Sequence, residues 1–406
     1  MSSLADKQRG IFALWLAVML PALIALFALL LEWAHLFTIR QQQRTATDAA
    51  VIAAAYQTLR HDSASATTAA QAAAALNGFP ISISTALIIE QPPLDGFYAG
   101  NELAIHASMT HQPPRLLQAI FEDIDPIVST QATARFKRGA CLLALAPTGA
   151  ERLSIAANAN VQAAYCSAQV NSGAAGALTV GNKATVSLLD IRVVGTATIS
   201  GSASVTPTPV TGAAAVADPM SAVTEPVVGA CDFNNYVVSG TRTLTPGTYC
   251  GGLRLNANAV ATLQPGAYVI VGGLLQLGNN AQMTGAGLNL FLMQGAQVVM
   301  NSTAILNLSA AQTGDYAGIL LFESRAAPLD TLIHNLPVAQ SALIEGLIYL
   351  SRSRLNLDAY GNQPVNGASR ALAIVARHIA VSGRIALNFD PHFLPSQIRP
   401  RVWLVE

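Results

Sequence analysis

The chain has 406 residues, of which 52% are hydrophobic and only 11% charged, with 22 basic and 22 acidic side chains and no net charge. Nothing in that balance favours nucleic acid, whose binding rests on clustered Lys and Arg neutralising phosphates. Charged residues fall well short of the ~25% usual in globular domains. Ala, Gly, Thr, Ser and Asn take their place, which suits exposed β-surfaces and tight repeated turns better than an ordinary enzyme surface.

Residues 1–10 form a short polar lead that contains Lys7 and Arg9. From Ile11 to Leu31 there is no charge, and at about 1.5 Å per residue the run makes roughly 31 Å of helix, enough for the ~30 Å hydrocarbon core. Only a helix crosses lipid as an open segment, because every backbone amide must be satisfied internally. Pro21 is tolerated there, and Trp15 and Trp33 fall near the two interfaces. A cleaved signal peptide would have a shorter apolar region of about 7–15 residues and a small-residue cleavage site, which is missing after Leu31. Residues 11–31 are therefore expected to anchor the chain in membrane lipid by a single pass. Basic residues flank both sides, with Arg40 and Arg44 following the run. The short N-terminus and the downstream cysteines set the expected orientation, N-terminus cytoplasmic and the rest exported.

Residues 32–138 predict an extended helix and a small α+β domain. The helical pattern continues from Ala34 to Tyr56 without Gly or Pro, with Leu36, Ile39, Gln43, Ala46, Ala50 and Ala53 on one face. A second Ala-rich helix is expected over about Ala64 to Leu76, stopped by Asn77-Gly78. Alternation predicts strands over Ile81–Ile89, Glu102–Met109 and Ile127–Phe136, with a short helix over Arg115–Phe121.

Gln8-Arg9-Gly10, the apolar run with Pro21, and Gln43-Arg44-Thr45-Ala46-Thr47-Asp48-Ala49-Ala50-Val51-Ile52-Ala53-Ala54-Ala55 together resemble the N-terminus of TadG/TadE-like proteins. Pro114 to Phe121 and Val128 to Ala134 are similar to the end of that family's small domain. The likeness covers about residues 7–137. It implies a pilin-like α+β domain, a bacterial inner-membrane protein, and a role beside pilin-like or other pilus-assembly proteins in Flp (Tad) pilus assembly. Processed prepilins carry Glu five residues after the cleaved Gly, whereas Trp15 stands there in this chain, so the resemblance favours the uncleaved TadG-like branch. Asp48, four residues after Arg44, is the one acid with a positional match, and both uses open to it, a salt bridge or a helix contact, are structural.

Beyond residue 138 a phrase recurs: Leu153–Ala159, Leu178–Ala184, Ala197–Ala203, Leu253–Ala259, Leu275–Ala281 and Val298–Ala304. Each has apolar residues two apart, a cluster of Gly, Asn or Ser, and a closing Ala. The alanines step by 25, 19, 56, 22 and 23 residues. Strand and turn repeating at that length is one coil of a β-solenoid. Residues 139–406 are thus expected to form an all-β right-handed parallel β-helix of at least six coils, or eight to nine if Ile348–Leu355 and Ile379–Ile385 count. Asn258 and Asn280 share a repeat position and predict an internal asparagine ladder. The 56-residue step holds a Pro/Thr/Ala-rich stretch at about 206–230, expected to leave the stack; the phrase Pro207-Thr208-Pro209 with Asp218-Pro219 is similar to TadG-like proteins bearing a solenoid-like region.

Cys141, Cys166, Cys231 and Cys250 contain no CxxC pair, so no metal site is expected. In an exported domain two disulfides follow, and of the three pairings the local one, Cys141–Cys166 with Cys231–Cys250, closes the shortest loops. Reduced buried thiols in a cytosolic domain are the other reading.

The solenoid acids do not recur at one repeat position. The best cluster is Glu345, Arg352, Arg354 and Asp358, read as solvated turns; His334 and His378 read as surface or satisfied core residues without acid partners. Phosphate-cradling loops, GxSxG and HExxH are absent. The expectation is a membrane-anchored, exported structural or interaction protein of the cell envelope, acting in pilus assembly or adhesion, with no catalysis and no cofactor. The alternative is an anchored β-helix that binds or cleaves polysaccharide, with cell-surface glycans as partners.

Overall fold

The structure is a computed structural model, and residues 3–59, 63–114, 126–137, 139–338, 343–359 and 369–405 are described. The chain divides into two units, residues 1–137 with 401–406, and residues 138–400.

In the first unit one unbroken helix, α1 (Ser3–Leu59), carries the apolar run, with Pro21 inside it. From Trp15 to Leu31 its large apolar side chains are between 48% (Met19) and 70% (Leu29) exposed. Twelve residues further on the same helix is packed: Gln43, Ala46, Thr47, Ala50 and Ala54 are fully buried. Alanines on this face, and Ala66, Ala70 and Ala74 on α2 (Ser63–Leu76), let backbones approach closely around a common core with Ile105, Met109 and Phe136. Two polar pegs fix the helix on the sheet. Gln43 donates through Nε2 to the Met109 and Val128 carbonyls at 2.8 and 3.1 Å, and the Thr47 and Thr130 hydroxyls meet at 2.7 Å. The sheet is four-stranded, and its neighbouring strands Thr85–Glu90, Ala104–His111, Val128–Lys137 and Arg401–Leu404 pair antiparallel. The first strand begins later than its alternation suggests, because Ser82 and Thr85 close a tight turn on each other. The expected helix over Arg115–Phe121 lies outside the described residues.

The fourth strand corrects the domain boundary. Residues 401–405 belong to the first unit, where Arg401, Val402 and Trp403 pair with Lys137, Phe136 and Arg135. The solenoid therefore ends at 400 rather than 406 and is inserted between two paired strands.

The second unit is a β-solenoid of about ten turns, and all the paired strands inside it run parallel. Each phrase found in the sequence closes a corner. Ala159, Ala184, Ala203, Ala259, Ala281 and Ala304 each donate their amide to the carbonyl three residues back, at 3.0–3.2 Å. All but the half-buried Ala203 are buried, so the small closing residue is a corner of the core. Asn158, Lys183, Asn258 and Asn280, one residue earlier, take positive φ of 55–61°, a conformation that Asn tolerates better than most residues. The asparagine ladder forms, but outside: Asn280 Nδ2 donates to Asn258 Oδ1 at 3.2 Å on an exposed corner. Inside, Phe291, Phe322 and Tyr349 are successive register partners, their tilted rings 6.1 and 4.8 Å apart between centroids.

The coils do not stack in chain order. The chain enters mid-stack at Ala140–Ala144 and winds outward through Asn160–Val170 and Thr185–Val193 to Ser204–Thr206 at one end. Winding resumes at Phe233–Val238 at the other end and returns to Leu372–Ala386. There the last coil pairs with the first: Ile374, Val375 and Ala376 face Leu142, Leu143 and Ala144, and Ile379 faces Leu153.

The Pro/Thr/Ala-rich stretch is the bridge that this order requires. Residues 213–232 do not leave the stack but run along it from end to end. Ten turns at ~4.8 Å span roughly 45 Å, within reach of twenty extended residues at ~3.3 Å each. Asn171 grips Val216 by both its amide and its carbonyl, at 2.9 and 2.7 Å. Tyr349 donates to Asp218 at 2.6 Å, Arg325 caps the Met220 and Val223 carbonyls, and Glu225 accepts from Ser324 and the Arg325 amide at 2.7 Å. Met220 and Val223 are buried beneath it. Disulfides join Cys141 to Cys166 and Cys231 to Cys250.

Coil contact is tightest at Gly383, where φ is +74° and a Cβ would lie 1.7 Å from the Ala359 carbonyl oxygen. Gly383→Ala should cost at least about 2 kcal/mol, whereas Gly240→Ala, with φ +73° but open space around it, should cost about 1 kcal/mol. Thermal unfolding of the full chain in detergent measures both, and equal losses would contradict the stacking geometry.

Candidate interaction surface

Strand alternation sends one row of side chains outward at the same height on successive coils. Asn356, Ala380, Ser154, Thr179 and Thr198 are consecutive register partners across the join between last and first coil. A second row holds Asp358 opposite Ser382, with Gly181 and Ser200 nearby, and Ser382 donates to Asp358 at 2.5 Å. Ala380, Ala156 and Gly181 add little bulk between these polar side chains, and the result is an open groove of about 570 Å3.

The groove lining carries one cation, Arg354, and two carboxylates, Glu151 and Asp358, and a cluster of charged groups lies beside it. Arg354 is the register partner of His378, and Arg152 reaches His378 from the opposite coil, its guanidinium 2.8 Å from Nδ1 and also against Nε2. Arg377 donates to Asp330 at 2.6 Å, and His378 Nε2 lies 3.1 Å from the same carboxylate oxygen. Hydrogen bonding to Arg377 holds the Asp330 carboxyl below its usual range. Burial pushes His378 down to about 4, and Arg152, Arg377 and Arg354 add to it against the opposing pull of Asp330. His378 is thus neutral at pH 7.

A second polar group is wholly internal. Glu323, His334 and Ser353 are fully buried. The Val298 amide donates to His334 Nδ1 at 3.1 Å, which fixes the tautomer: Nε2 carries the proton and donates to Glu323 at 3.2 Å. Ser353 also donates to Glu323, as does the Arg352 amide at 3.0 Å. The serine hydroxyl thus gives its proton to the carboxylate and not to the imidazole, so the trio lacks the nucleophile–base contact of acyl-transfer sites.

Of the cluster expected from sequence, Arg354 and Asp358 share the groove. Glu345 is buried against Arg370, 2.6 Å away, and Arg352 turns to the Ala327 carbonyl at 3.0 Å, so the four do not converge. His334 and His378 do have acid partners: Glu323, eleven residues earlier in the same coil as His334, and Asp330, from the coil beyond Arg354. Among the described residues no three His, Cys, Asp or Glu side chains are placed to hold a metal ion. The groove row was readable in principle, since Ser154, Thr179 and Thr198 are all the second residue of their phrase. No protein-family model, curated protein or solved structure matches the chain.

Two outcomes follow. Glu323→Ala strands the His334 Nε2–H, the Ser353 hydroxyl and the Arg352 amide in the core, and should cost about 3 kcal/mol or more in urea unfolding of the full chain. For His378 the folded pKa lies near 4 and the ordinary histidine value is 6.5, so the unfolded chain binds the extra proton between those values. Stability should fall as pH drops from about 6.5 towards 4 and level off below. In His378→Gln the melting temperature should lose part of that pH dependence, and an unchanged slope would assign it elsewhere.

Proposed function

We propose that the chain is a single-pass, membrane-anchored structural and interaction protein of a bacterial envelope, acting in Flp (Tad)-type pilus assembly or adhesion. The observation that carries the tethered reading is the change of role within α1. Its residues 15–31 expose a ring of large apolar side chains, as lipid demands, and from Gln43 onward the same helix is buried against a sheet. The N-terminus lies in the cytoplasm, and both units lie outside the inner membrane, where disulfides persist. A long helix packed on an antiparallel sheet supports the pilin-like reading of the first unit, and the Gln43–Ala55 stretch carries the TadG-like one. The solenoid, wound right-handed as parallel crossovers nearly always are, acts as a scaffold that offers its outward rows to partners rather than as an enzyme. The buried, wrongly oriented Ser353–Glu323–His334 trio supports that choice.

In cells expressing equal pilin, deletion of the gene should reduce pilin recovered by shearing, read by immunoblot. The full chain should restore it, and a version exported by a cleaved signal peptide in place of residues 11–31 should not. Unchanged pilin on deletion would sink the assembly role and leave an independent surface protein.

A further inference from the structure

We propose that a cavity on the outer face of the first unit's four-stranded sheet receives a basic side chain, arginine above all, from a partner protein. Alternation builds the floor. Leu87, Ile105, Ala107 and Ala132 point into the core beneath α1, so their chain neighbours point away from it. Glu90, His106 and Thr133 are cross-strand partners on that outer face, and Ile88, Ser108 and Gln131 form the row beside them. Residues 91–100 fold back over these rows, held where the Gly100 amide donates to the Pro93 carbonyl at 2.8 Å. The cavity between loop and rows measures about 210 Å3, and Pro93, Asp95, Phe97 and Tyr98 wall it.

Charge selects the ligand. The lining carries two carboxylates, Glu90 and Asp95, and no Lys or Arg. With His106 these acids are not placed to hold a metal ion, so the cation that fits is organic. Arg135 lies outside the lining, its guanidinium 5.4 Å from the centre of the Tyr98 ring and 5.6 Å from that of Trp403. The same face thus already holds one guanidinium against aromatic rings. Phe97, edge-to-face with Tyr98 at 5.0 Å, is 85% exposed. The Ser108, Gln131 and Asp95 side chains make no hydrogen bond among the described residues, and one oxygen of Glu90 accepts from the Leu94 amide at 3.3 Å. Leu94 and Ile88, at the Glu90 end of the cavity, are 72% and 58% exposed. Carboxylates beside an open aromatic ring, with apolar side chains at the margin, suit a guanidinium, which stacks flat and pairs with carboxylates. The same lining repels phosphates and acidic sugars. The inference rests on the reading of the chain as an interaction protein and names its partner's chemistry, but it does not need the pilus role. Failure of the shearing experiment therefore leaves it standing, and its own failure leaves the tethered scaffold standing.

The test is titration of the full chain, in phosphatidylcholine nanodiscs, with a capped pentapeptide that carries one arginine between leucines, empty nanodiscs serving as the blank. The same peptide with citrulline, an uncharged isostere, should bind about tenfold more weakly. The double variant Glu90→Gln with Asp95→Asn, at unchanged melting temperature, should weaken binding of the arginine peptide about tenfold, and Phe97→Ala about fivefold. In proton NMR spectra the arginine δ-methylene signal should move upfield on binding, under the ring current of Phe97, and Phe97→Ala should abolish that shift. Asp315→Asn, at an exposed acid of the solenoid unit, should change binding less than about twofold. The proposal is overturned if the arginine peptide binds the protein no better than it binds empty nanodiscs, if the citrulline peptide binds equally, if the double variant binds as well, or if Asp315→Asn loses as much. A chain that is dimeric until Glu90 and Asp95 are neutralised would make the occupant a second copy and overturn the assignment to a partner protein.

Discussion

The pairing of Phe136 with Val402 governs the rest of the molecule. Those two strands lie side by side, so the 263-residue unit between them, 138–400, must start and finish in the same place. A solenoid wound in chain order cannot do so, since its ends are separated by the full height of the stack. Starting mid-stack solves the problem at the cost of one long crossing. The first-to-last coil pairing then unites two separately wound halves, and residues 213–232 carry the chain between the free ends. The crossing segment buries Met220 and Val223; Asn171 and Arg325 hold its backbone, and its own Asp218 and Glu225 carboxylates accept from Tyr349, Ser324 and the Arg325 amide. The end at residues 204–211 is a poor template for further pairing. Ser204–Thr206 and Val210–Thr211 are short and are separated by Pro207 and Pro209, which lack an amide to donate.

Parallel stacking also dictates where charge is allowed. Like charges at one repeat position would face each other across ~4.8 Å, which explains why so few charged residues serve so long a chain. Against that rule, three arginines gather around His378, with the Asp330, Glu151 and Asp358 carboxylates nearby. Burial is the first cause of the neutral imidazole there, and the neighbouring cations add to it. The buried Glu323 and Glu345 are both partnered, by His334 with Ser353 and by Arg370, and there the arrangement stabilises the fold.

The coils were legible because the signal is local. A closing alanine, a left-handed Asn and alternating Leu or Val recur within one strand and one turn, and the corner geometry needs those residue types. The anchor was legible for the same reason, as length and hydropathy suffice. Stacking order was not, because the same coil can sit on any other coil: nothing near Leu142 says that its neighbour is Ile374, more than two hundred residues away. The histidine partners were hidden likewise. Glu323 meets His334 across only eleven residues and Arg152 meets His378 across 226, and neither interval is the length of one coil, which drifts from 19 to 25. The longitudinal segment looked like an excursion because prolines break strand pairing, which says that it is not a coil but not where it goes.

The disulfides fit this division into halves. Cys141 lies in the first strand of the half that winds outward, and Cys166 in the next coil; Cys231 directly precedes the first strand of the other half, and Cys250 lies in the coil after it. In each half, the opening coil is the one with no predecessor to pair against as the chain winds. Closing loops of 19 and 25 residues contributes about 3 kcal/mol each on the chain-entropy account, applied at the two points where parallel pairing has least local support. That placement has value only in an oxidising compartment. It therefore ties the winding of the solenoid to the side of the membrane on which the anchored chain is proposed to lie.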